Sequence, residues 1–442
     1  MERHFKRRVL LAASLFGLMS SAQAVTTAKD VQTLTLANGM KFLVLEDHSI
    51  PNANFYVFWK VGSRNEHPGI TGLSHFFEHM MFNGAKKYGP KQFDRVMEAN
   101  GGANNAYTTN DVTVYTDWFP ASALATIFDL EADRIADLNL DDAMVASERG
   151  VVASERTTGL ENSPWRTLGE EVDGAAFRAH PYSWPVIGHE SDIKNWKKSD
   201  LQSYFDTYYA PNNAVAVVVG DVEVAEVKKL AEQYFAPIPA AEPPRPIHTV
   251  EPEQKGEKRL FVQKDSVSTP HLLIGYKTPA ASHPDYYALS LLTSILAEGN
   301  SSRLYQALVD SGLATMVGAD YEEHFDPYLL GIYAIASGDT KAAQIESVLY
   351  AEIDKLIKNG VSKEELQKAR SQKLMRFYKQ LETINGKANT LGTYEVYFGS
   401  YDKMFNAPKA YEQVSAADIQ RVARDYLSKS RRTVGILAAK ED

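Results

Sequence analysis

Cysteine is absent from this chain of 442 residues. Disulfide bonds and thiolate metal sites are therefore excluded, and any metal site must use imidazole and carboxylate ligands. Beyond the amino terminus, no apolar run approaches the roughly eighteen residues that a membrane-spanning helix needs. An excess of positive charge is also lacking, because the net charge is −9 at pH 7. Such a charge argues against binding of nucleic acid or of an anionic membrane surface through the overall field.

The residues that are abundant indicate folded domains. A hydrophobic content of 44% and an aromatic content of 11% are typical of a globular protein with apolar cores. The length is sufficient for two or more domains of ordinary size.

The first 24 residues have the features of a secretory signal. Basic residues between Arg3 and Arg8 precede a short apolar stretch, Val9–Met19, and Ala22–Ala24 has the form of a cleavage site. We predict that residues 1–24 are a signal peptide, which makes the mature chain periplasmic or secreted with no membrane segment. The alternative is an uncleaved membrane anchor.

The remaining sequence contains two similar halves. Residues 42–63 and 260–279 each read as a strand around an aspartate, then a proline, then a second apolar strand. Residues 200–221 and 418–439 each read as a helix followed by a β-branched strand. Nearly the same number of residues separates both pairs, which indicates a duplicated domain. Because strands and helices are mixed without regular βαβ alternation, the pattern favours an α+β fold.

A proline-rich segment separates the two halves. Residues 236–259 contain six prolines and one glycine, a composition typical of an extended and fairly stiff linker. We therefore predict an N-terminal zinc-binding domain at residues 25–238, a linker at 239–259 and a homologous C-terminal domain at 260–442.

The stretch GLSHFFEHMMFNG, residues 72–84, places two histidines and a glutamate among apolar side chains. A helix over residues 71–82, with a threonine N-cap and a glycine after its end, puts His75 and His79 on one face with Glu78 beside them. This helix is apolar nearly all round and should be buried.

Burial of these polar groups requires compensation, because an unpaired His–Glu–His face is costly to desolvate. A divalent cation would provide it, with His75 and His79 as ligands and Glu78 acting on a water molecule. The order H-x-x-E-H is the inverse of the H-E-x-x-H zinc motif, so we predict Zn²⁺. The alternative is a hydrogen-bonded polar cluster, or a cleft lining, without metal.

A third protein ligand is expected in the helix-like segment Asp141–Glu161. Glu148 and Glu155 are seven residues apart there, which is two helical turns on the same face. One could bind the metal while the other orients a histidine. Spacing alone leaves that choice open, and an ordinary solvated helix face is the alternative for both.

Together these motifs resemble those of the pitrilysin/insulinase metallopeptidases, or inverzincins. The sequence is most similar to bacterial half-length members related to the mitochondrial processing peptidase. The resemblance covers nearly the whole mature chain and rests on GLSHFFEHMMFNG, NNAYTTNDVTVY, ERGVVASER, HPYSWPVIG, YYAPNNAVAVVVGDV and GNSSRLYQAL. It implies two related α+β domains, each a sheet covered by helices, that form half of a two-chain clamshell.

The resemblance also implies residue roles. Zinc would be held by His75, His79 and Glu155, with Glu148 as the supporting acid and Glu78 as the general base. A peptide substrate would add as a strand to a sheet edge.

That edge would lie at Asn105, Ala106 and Tyr107. The residues just before them, in the sequence GGANN, are also consistent with a plain Gly/Asn turn.

One departure from the family pattern concerns the second half. Active members usually carry an Arg and a Tyr, six residues apart, just after a stretch like SSRLYQAL. Here those positions are Val309 and Thr315, which cannot donate the hydrogen bonds that the pair provides. Either the chain works without the pair, or a partner chain supplies it. We favour a related zinc-less partner in a heterodimer; a homodimer is the alternative.

These features predict a zinc-dependent endopeptidase subunit that hydrolyses peptides or unfolded polypeptide segments. The alternative is a non-catalytic peptide-binding or assembly subunit of the same fold, which the missing Arg/Tyr pair keeps open.

Overall fold

The structure is a computed structural model and describes residues 26–439. The predicted signal peptide therefore lies outside the described residues. Within them, no helix combines the length and the apolar character that crossing a membrane requires.

The first half is built on a six-stranded sheet. Its strands lie in the spatial order β1-β2-β6-β3-β5-β4, in which β2 and β6 are parallel and all other neighbours antiparallel. They are β1 (Val31–Thr35), β2 (Lys41–Glu46), β3 (Asn52–Trp59), β4 (Ala103–Thr108), β5 (Thr113–Pro120) and β6 (Ala214–Gly220). The helices of this half are α1 (Leu73–Met80), α2 (Gln92–Ala99), α3 (Leu124–Ala136), α4 (Asp142–Asn162), α5 (Pro164–Ala176), α6 (Glu190–Asn195), α7 (Lys198–Tyr208) and α8 (Val224–Tyr234).

The second half repeats this topology. Its five-stranded sheet has the order β7-β11-β8-β10-β9, and again one pair, β7 and β11, is parallel. The strands are β7 (Lys258–Gln263), β8 (His271–Thr278), β9 (Ala314–Asp320), β10 (Tyr328–Ala336) and β11 (Arg432–Ala438). The helices are α9 (Tyr286–Ala297), α10 (Ala342–Asn359), α11 (Lys363–Gln380), α12 (Ile384–Phe398), α13 (Asp402–Gln413) and α14 (Ala416–Tyr426).

The duplicated α+β fold predicted from the sequence is confirmed by this arrangement. The predicted strand pairs are β2 with β3 and β7 with β8, and the predicted helix–strand pairs are α7 with β6 and α14 with β11. Between α8 and β7, residues 239–257 contain no helix or strand. We propose that this segment is the linker between the two domains.

Each sheet is covered on one face by helices of its own half. Successive side chains of β3 point to opposite faces of the sheet. Those of Phe55, Val57 and Trp59 lie in a core shared with α1, α3, α7 and α8. In the second half, β8 and β10 contribute to a core with α9, α10 and α14.

The opposite face of each sheet is covered by a helix of the other half. Phe58 and Val217 of the first sheet pack against Leu391 of α12. In return, Leu168 of α5 packs against Leu437 of the second sheet. The halves are thus joined by exchanged helices as well as by the connecting chain.

Candidate metal centre

Helix α1 spans Leu73–Met80 and is therefore shorter at both ends than the predicted helix over residues 71–82. It begins at Leu73, and Gly72 is the N-cap residue with φ of 90°, a left-handed conformation that favours glycine. A side chain at Gly72 would also collide with the carbonyl oxygen of Ile187. The predicted N-cap, Thr71, instead donates its hydroxyl to Asp192 Oδ2 at 2.7 Å. The prediction for Thr71 was wrong because the packing of the loop before α6 decides where the helix starts.

A buried carboxylate takes the place of the predicted cap. Glu66 Oε2 accepts a hydrogen bond from the Gly72 N–H at 2.7 Å, and its Oε1 accepts one from the Ser74 N–H at 2.8 Å. These bonds satisfy amide groups that a helix start leaves without partners. Glu66 has no local signal in the sequence, because it lies six residues before the N-cap residue Gly72, outside the usual capping positions.

Three side chains converge between α1 and α4. His75 and His79 are one turn apart on α1, and Glu155 reaches them from α4. Glu155 Oε2 lies 3.6 Å from His75 Nε2 and 3.4 Å from His79 Nε2. One ligand atom from each residue falls within 4.8 Å of the others, and no other such group was found among the described residues.

The donor set of this cluster fits a divalent cation. Two imidazole nitrogens and one carboxylate oxygen are the ligand types that zinc takes in catalytic sites with three protein ligands. Nδ1 of His75 is buried and has no hydrogen-bond partner within residues 26–439. The ring therefore presents Nε2, the atom that faces Glu155, to the centre of the cluster.

Glu148 lies beside the cluster and contacts His79 at Nδ1, the ring nitrogen that does not face Glu155. Its Oε1 is 2.8 Å from His79 Nδ1, and its Oε2 accepts a hydrogen bond from the Asn83 amide at 2.7 Å. Of the two glutamates that spacing left equivalent, Glu155 faces both Nε2 atoms, whereas Glu148 bonds the outer nitrogen of His79. Asn83 was not singled out from the sequence.

The surroundings shift the pKa values of the two histidines in opposite directions. Burial, reinforced by the charge of His79, lowers the pKa of His75 to about 4. Burial also lowers the pKa of His79, but hydrogen bonds to Glu148 and Glu155 outweigh it and raise that pKa to about 9. The hydrogen bond from His79 in turn lowers the pKa of both glutamates. Both shifts favour the ionised carboxylate, which is the form in which a glutamate binds a metal ion.

Glu78 lies on α1 next to His79 and contacts the end of β4. Its Oε2 accepts a hydrogen bond from the Thr108 hydroxyl at 2.5 Å. Burial raises the pKa of Glu78, and the bond from Thr108 opposes that shift. A carboxylate with raised proton affinity beside a cation site is suited to general-base work.

The predicted substrate residues lie on the outermost strand of the first sheet. Asn105, Ala106 and Tyr107 belong to β4, which pairs with β5 on one side and occupies the end of the strand order. The other side of β4 therefore presents a sheet edge within the described residues. The strand already begins at Ala103, so the Gly/Asn turn is confined to the residues before it.

The two positions that depart from the family pattern both lie in the second half. Val309 ends a short π-helical segment, Tyr305–Val309, and Thr315 lies on β9, an edge strand of the second sheet. The Thr315 hydroxyl donates to the Ile335 carbonyl at 3.5 Å. The cluster of His75, His79 and Glu155 includes no residue from this half.

Two family models and a relative of similar length match this chain. A profile described as insulinase (peptidase family M16) matches residues 41–190, and one described as peptidase M16 inactive domain matches residues 195–373. The zinc protease PqqE of Helicobacter pylori is 31% identical, over 98% of this chain and 99% of that protein. This chain belongs to the insulinase family, peptidase family M16. The resemblance inferred from the sequence motifs is thereby confirmed.

Other M16 proteins extend the comparison. The crystal structure of a protease from Helicobacter pylori has a TM-score of 0.89 at 30% identity and covers 92% of this chain and 99% of that chain. The mitochondrial-processing peptidase subunit beta of Lentinula edodes is 25% identical over 95% of this M16 chain and 93% of that protein. The periplasmic protease PqqL of Escherichia coli shares the fold, with a TM-score of 0.78 at 19% identity, but this chain covers only 48% of its length.

Proposed function

We propose that this chain is the zinc-binding subunit of an endopeptidase that hydrolyses peptides or unfolded polypeptide segments. The observation that carries the proposal is the cluster of His75, His79 and Glu155, with the carboxylate of Glu78 on the same helix. Relatives named zinc proteases support it. The proposed ligands are the three clustered residues, and Glu148 holds the imidazole of His79 in place.

Glu78 is the proposed general base. Zinc, when bound, supplies a Lewis acid that acidifies water and polarises a peptide carbonyl. Glu78 accepts a proton from the attacking water on its carboxylate and later delivers it to the amine that leaves. The strand edge at Asn105–Tyr107 holds the peptide by main-chain hydrogen bonds, which leave side-chain preference broad.

A partner chain is the second part of the proposal. Val309 and Thr315 offer no guanidinium and no phenol, so the donors of the family pattern would have to come from elsewhere. The subunit name of the mitochondrial relative and the twofold greater length of PqqL support an assembly of two such units. We propose a related zinc-less partner, with a homodimer as the alternative. The predicted signal peptide and the periplasmic PqqL support a periplasmic or secreted location.

A second candidate function is a non-catalytic peptide-binding or assembly subunit. The match of residues 195–373 to a domain described as inactive, together with Val309 and Thr315, favours it. The complete set of His75, His79 and Glu155 beside Glu78 counts against it.

Substitution of Glu78 tests the proposal. Glu78→Gln should keep stoichiometric zinc and the wild-type melting temperature but lose peptide cleavage, because an amide cannot take the proton of water. Zinc is measured by elemental analysis, and cleavage is measured with quenched fluorescent peptides. Glu161→Gln, on the exposed end of α4, is the matched control and should cleave normally. Cleavage near the wild-type rate by Glu78→Gln would remove this residue from the mechanism.

A further inference from the structure

The hydroxyl of Thr108 contacts the proposed general base. Thr108 is the last residue of β4, and its Oγ1 lies 2.5 Å from Glu78 Oε2. A hydroxyl beside an ionised carboxylate must donate its proton, and such charge-assisted bonds are short and strong. In the described part of the chain, this is the one hydrogen bond recorded for the Glu78 carboxylate.

Strand alternation explains why Thr108 can reach Glu78. Side chains two residues apart on β4 lie on the same face, so Thr108 shares a face with Ala106. Ala106 packs against the core that contains α1, whereas Tyr107 points to the other side and its hydroxyl donates to Asn389 of α12. Thr108 is thus placed towards α1 by the same strand whose free edge is the proposed peptide site.

We infer that Thr108 is a positioning residue for Glu78. Resting on the proposed function, the inference is that Thr108 holds Oε2 so that Oε1 is the oxygen that accepts the proton of the attacking water. The bond also ties the base to the strand that fixes the register of the peptide. The distance between the Glu78 carboxylate and the scissile bond is therefore fixed by β4, which holds both the base and the peptide.

Removal of the Thr108 hydroxyl should have two opposing effects on the rate of cleavage. Donation by Thr108 stabilises the charged carboxylate of Glu78, so loss of this hydrogen bond would by itself make the carboxylate more reactive towards a proton. Removal also frees a flexible side chain, and misplacement of a reacting group by ~1 Å costs about a hundredfold in rate. We expect the loss of orientation of the Glu78 carboxylate to outweigh its greater reactivity. The Thr108 hydroxyl should therefore accelerate cleavage.

The test compares two substitutions that differ in the hydroxyl. Thr108→Val keeps the shape but removes the donor, and kcat should fall about tenfold to a hundredfold with KM unchanged. Thr108→Ser keeps the donor and should retain most of the wild-type kcat. Single-turnover cleavage of quenched fluorescent peptides by the zinc-loaded protein gives the rates. Zinc content and melting temperature should match those of the wild type in both variants.

A double-mutant cycle separates positioning from a merely structural role. Glu78→Asp withdraws the carboxylate by one methylene, so Thr108→Val should have little further effect on kcat in that background. The control is Thr207→Val. Among residues 26–439, the Thr207 hydroxyl bonds only the Ser203 carbonyl of its own helix, so this variant should leave kcat unchanged.

Three outcomes would overturn the inference. They are an unchanged kcat in Thr108→Val, an effect confined to KM, and fully additive effects in the cycle with Glu78→Asp. Each leaves the proposed function intact, because the wild-type protein still cleaves peptides. If no peptide is cleaved under single-turnover conditions, either by the zinc-loaded protein alone or by its mixture with the proposed partner chain, the proposed function fails, and the role of Thr108 fails with it.

Discussion

His75 and His79 lie one turn apart on α1, but different neighbours hold their rings. Nδ1 of His79 is bound by Glu148, which Asn83 holds in turn, so its Nε2 is aimed at Glu155. The ring of His75 has no such partner within the described residues and is oriented by burial and by its edge-on packing against His79, at 4.7 Å between ring centroids. Both imidazoles nevertheless present Nε2 to the same carboxylate oxygen.

Loss of any of the three clustered side chains should reduce zinc content. His75→Ala and His79→Ala should each lose the ion, because two protein ligands rarely hold it tightly. Glu155→Gln keeps both imidazoles and should bind zinc more weakly. Elemental analysis after dialysis against a mild chelator measures the content, with His189→Ala, an exposed histidine, as the control. Full zinc occupancy in all three variants would rule out this metal site.

The sequence could predict His75, Glu78 and His79 together because their spacing within one helix is local. It could not separate Glu148 from Glu155, since positions seven residues apart face the same direction on a helix. That choice required the resemblance to a family, and the structure adds the distances that distinguish the two carboxylates.

Other contacts of the site had no signal in the sequence. Glu66 bonds the start of α1, Asn83 bonds Glu148 and Thr108 bonds Glu78. These contacts run across turns and strands that the spacing of residues does not reveal. A carboxamide or a hydroxyl outside a motif is ordinarily a surface group, and only the fold shows which ones meet the half-buried carboxylates of Glu78 and Glu148.

At the scale of elements, the exchanged helices α5 and α12 occupy equivalent positions in the repeat, but their glycines meet different surroundings. Gly392 of α12 lies directly over Phe58, and a Cβ atom there would overlap the buried ring. Gly169 of α5 has open space where a Cβ would be. The close approach of α12 to the first sheet therefore depends on one missing side chain.

Alanine at these two glycines should change stability in opposite directions. Gly392→Ala forces Phe58 or the helix to move, and overpacking of this kind costs about 1–3 kcal/mol. Gly169→Ala meets no atoms and should gain about 0.5–1 kcal/mol from helix propensity. Urea unfolding monitored by circular dichroism gives both values. Equal stabilisation in the two variants would show that α12 does not press on Phe58.

At the scale of the whole molecule, the exchange makes each half dependent on the other. The outer face of the first sheet is buried by α12, and that of the second by α5. Either sheet alone would expose a continuous apolar face, far more than a soluble domain usually presents. The sequence predicted the duplication from matching segments, but it could not predict the exchange, because both partners have the same apolar periodicity and only packing selects between them.

The proposed partner chain would supply hydrogen-bond donors to the zinc site. With Val309 and Thr315 in place of an Arg and a Tyr, this chain lacks donors whose binding energy should appear in the transition state. Loss of one preorganised oxyanion donor typically costs about 10²–10³ in rate. The zinc-loaded chain alone should therefore cleave peptides weakly.

A homologous chain that carries the Arg and the Tyr but lacks H-x-x-E-H should restore cleavage when it is mixed one to one with this chain. Its Tyr→Phe variant should restore much less, because the phenolic donor is then missing. Size-exclusion chromatography with light scattering reports which assembly is present in each assay. If this chain by itself is a homodimer that cleaves peptides as fast as the mixture, the split site is refuted. The groups that hold the substrate would then have to be found among its own residues.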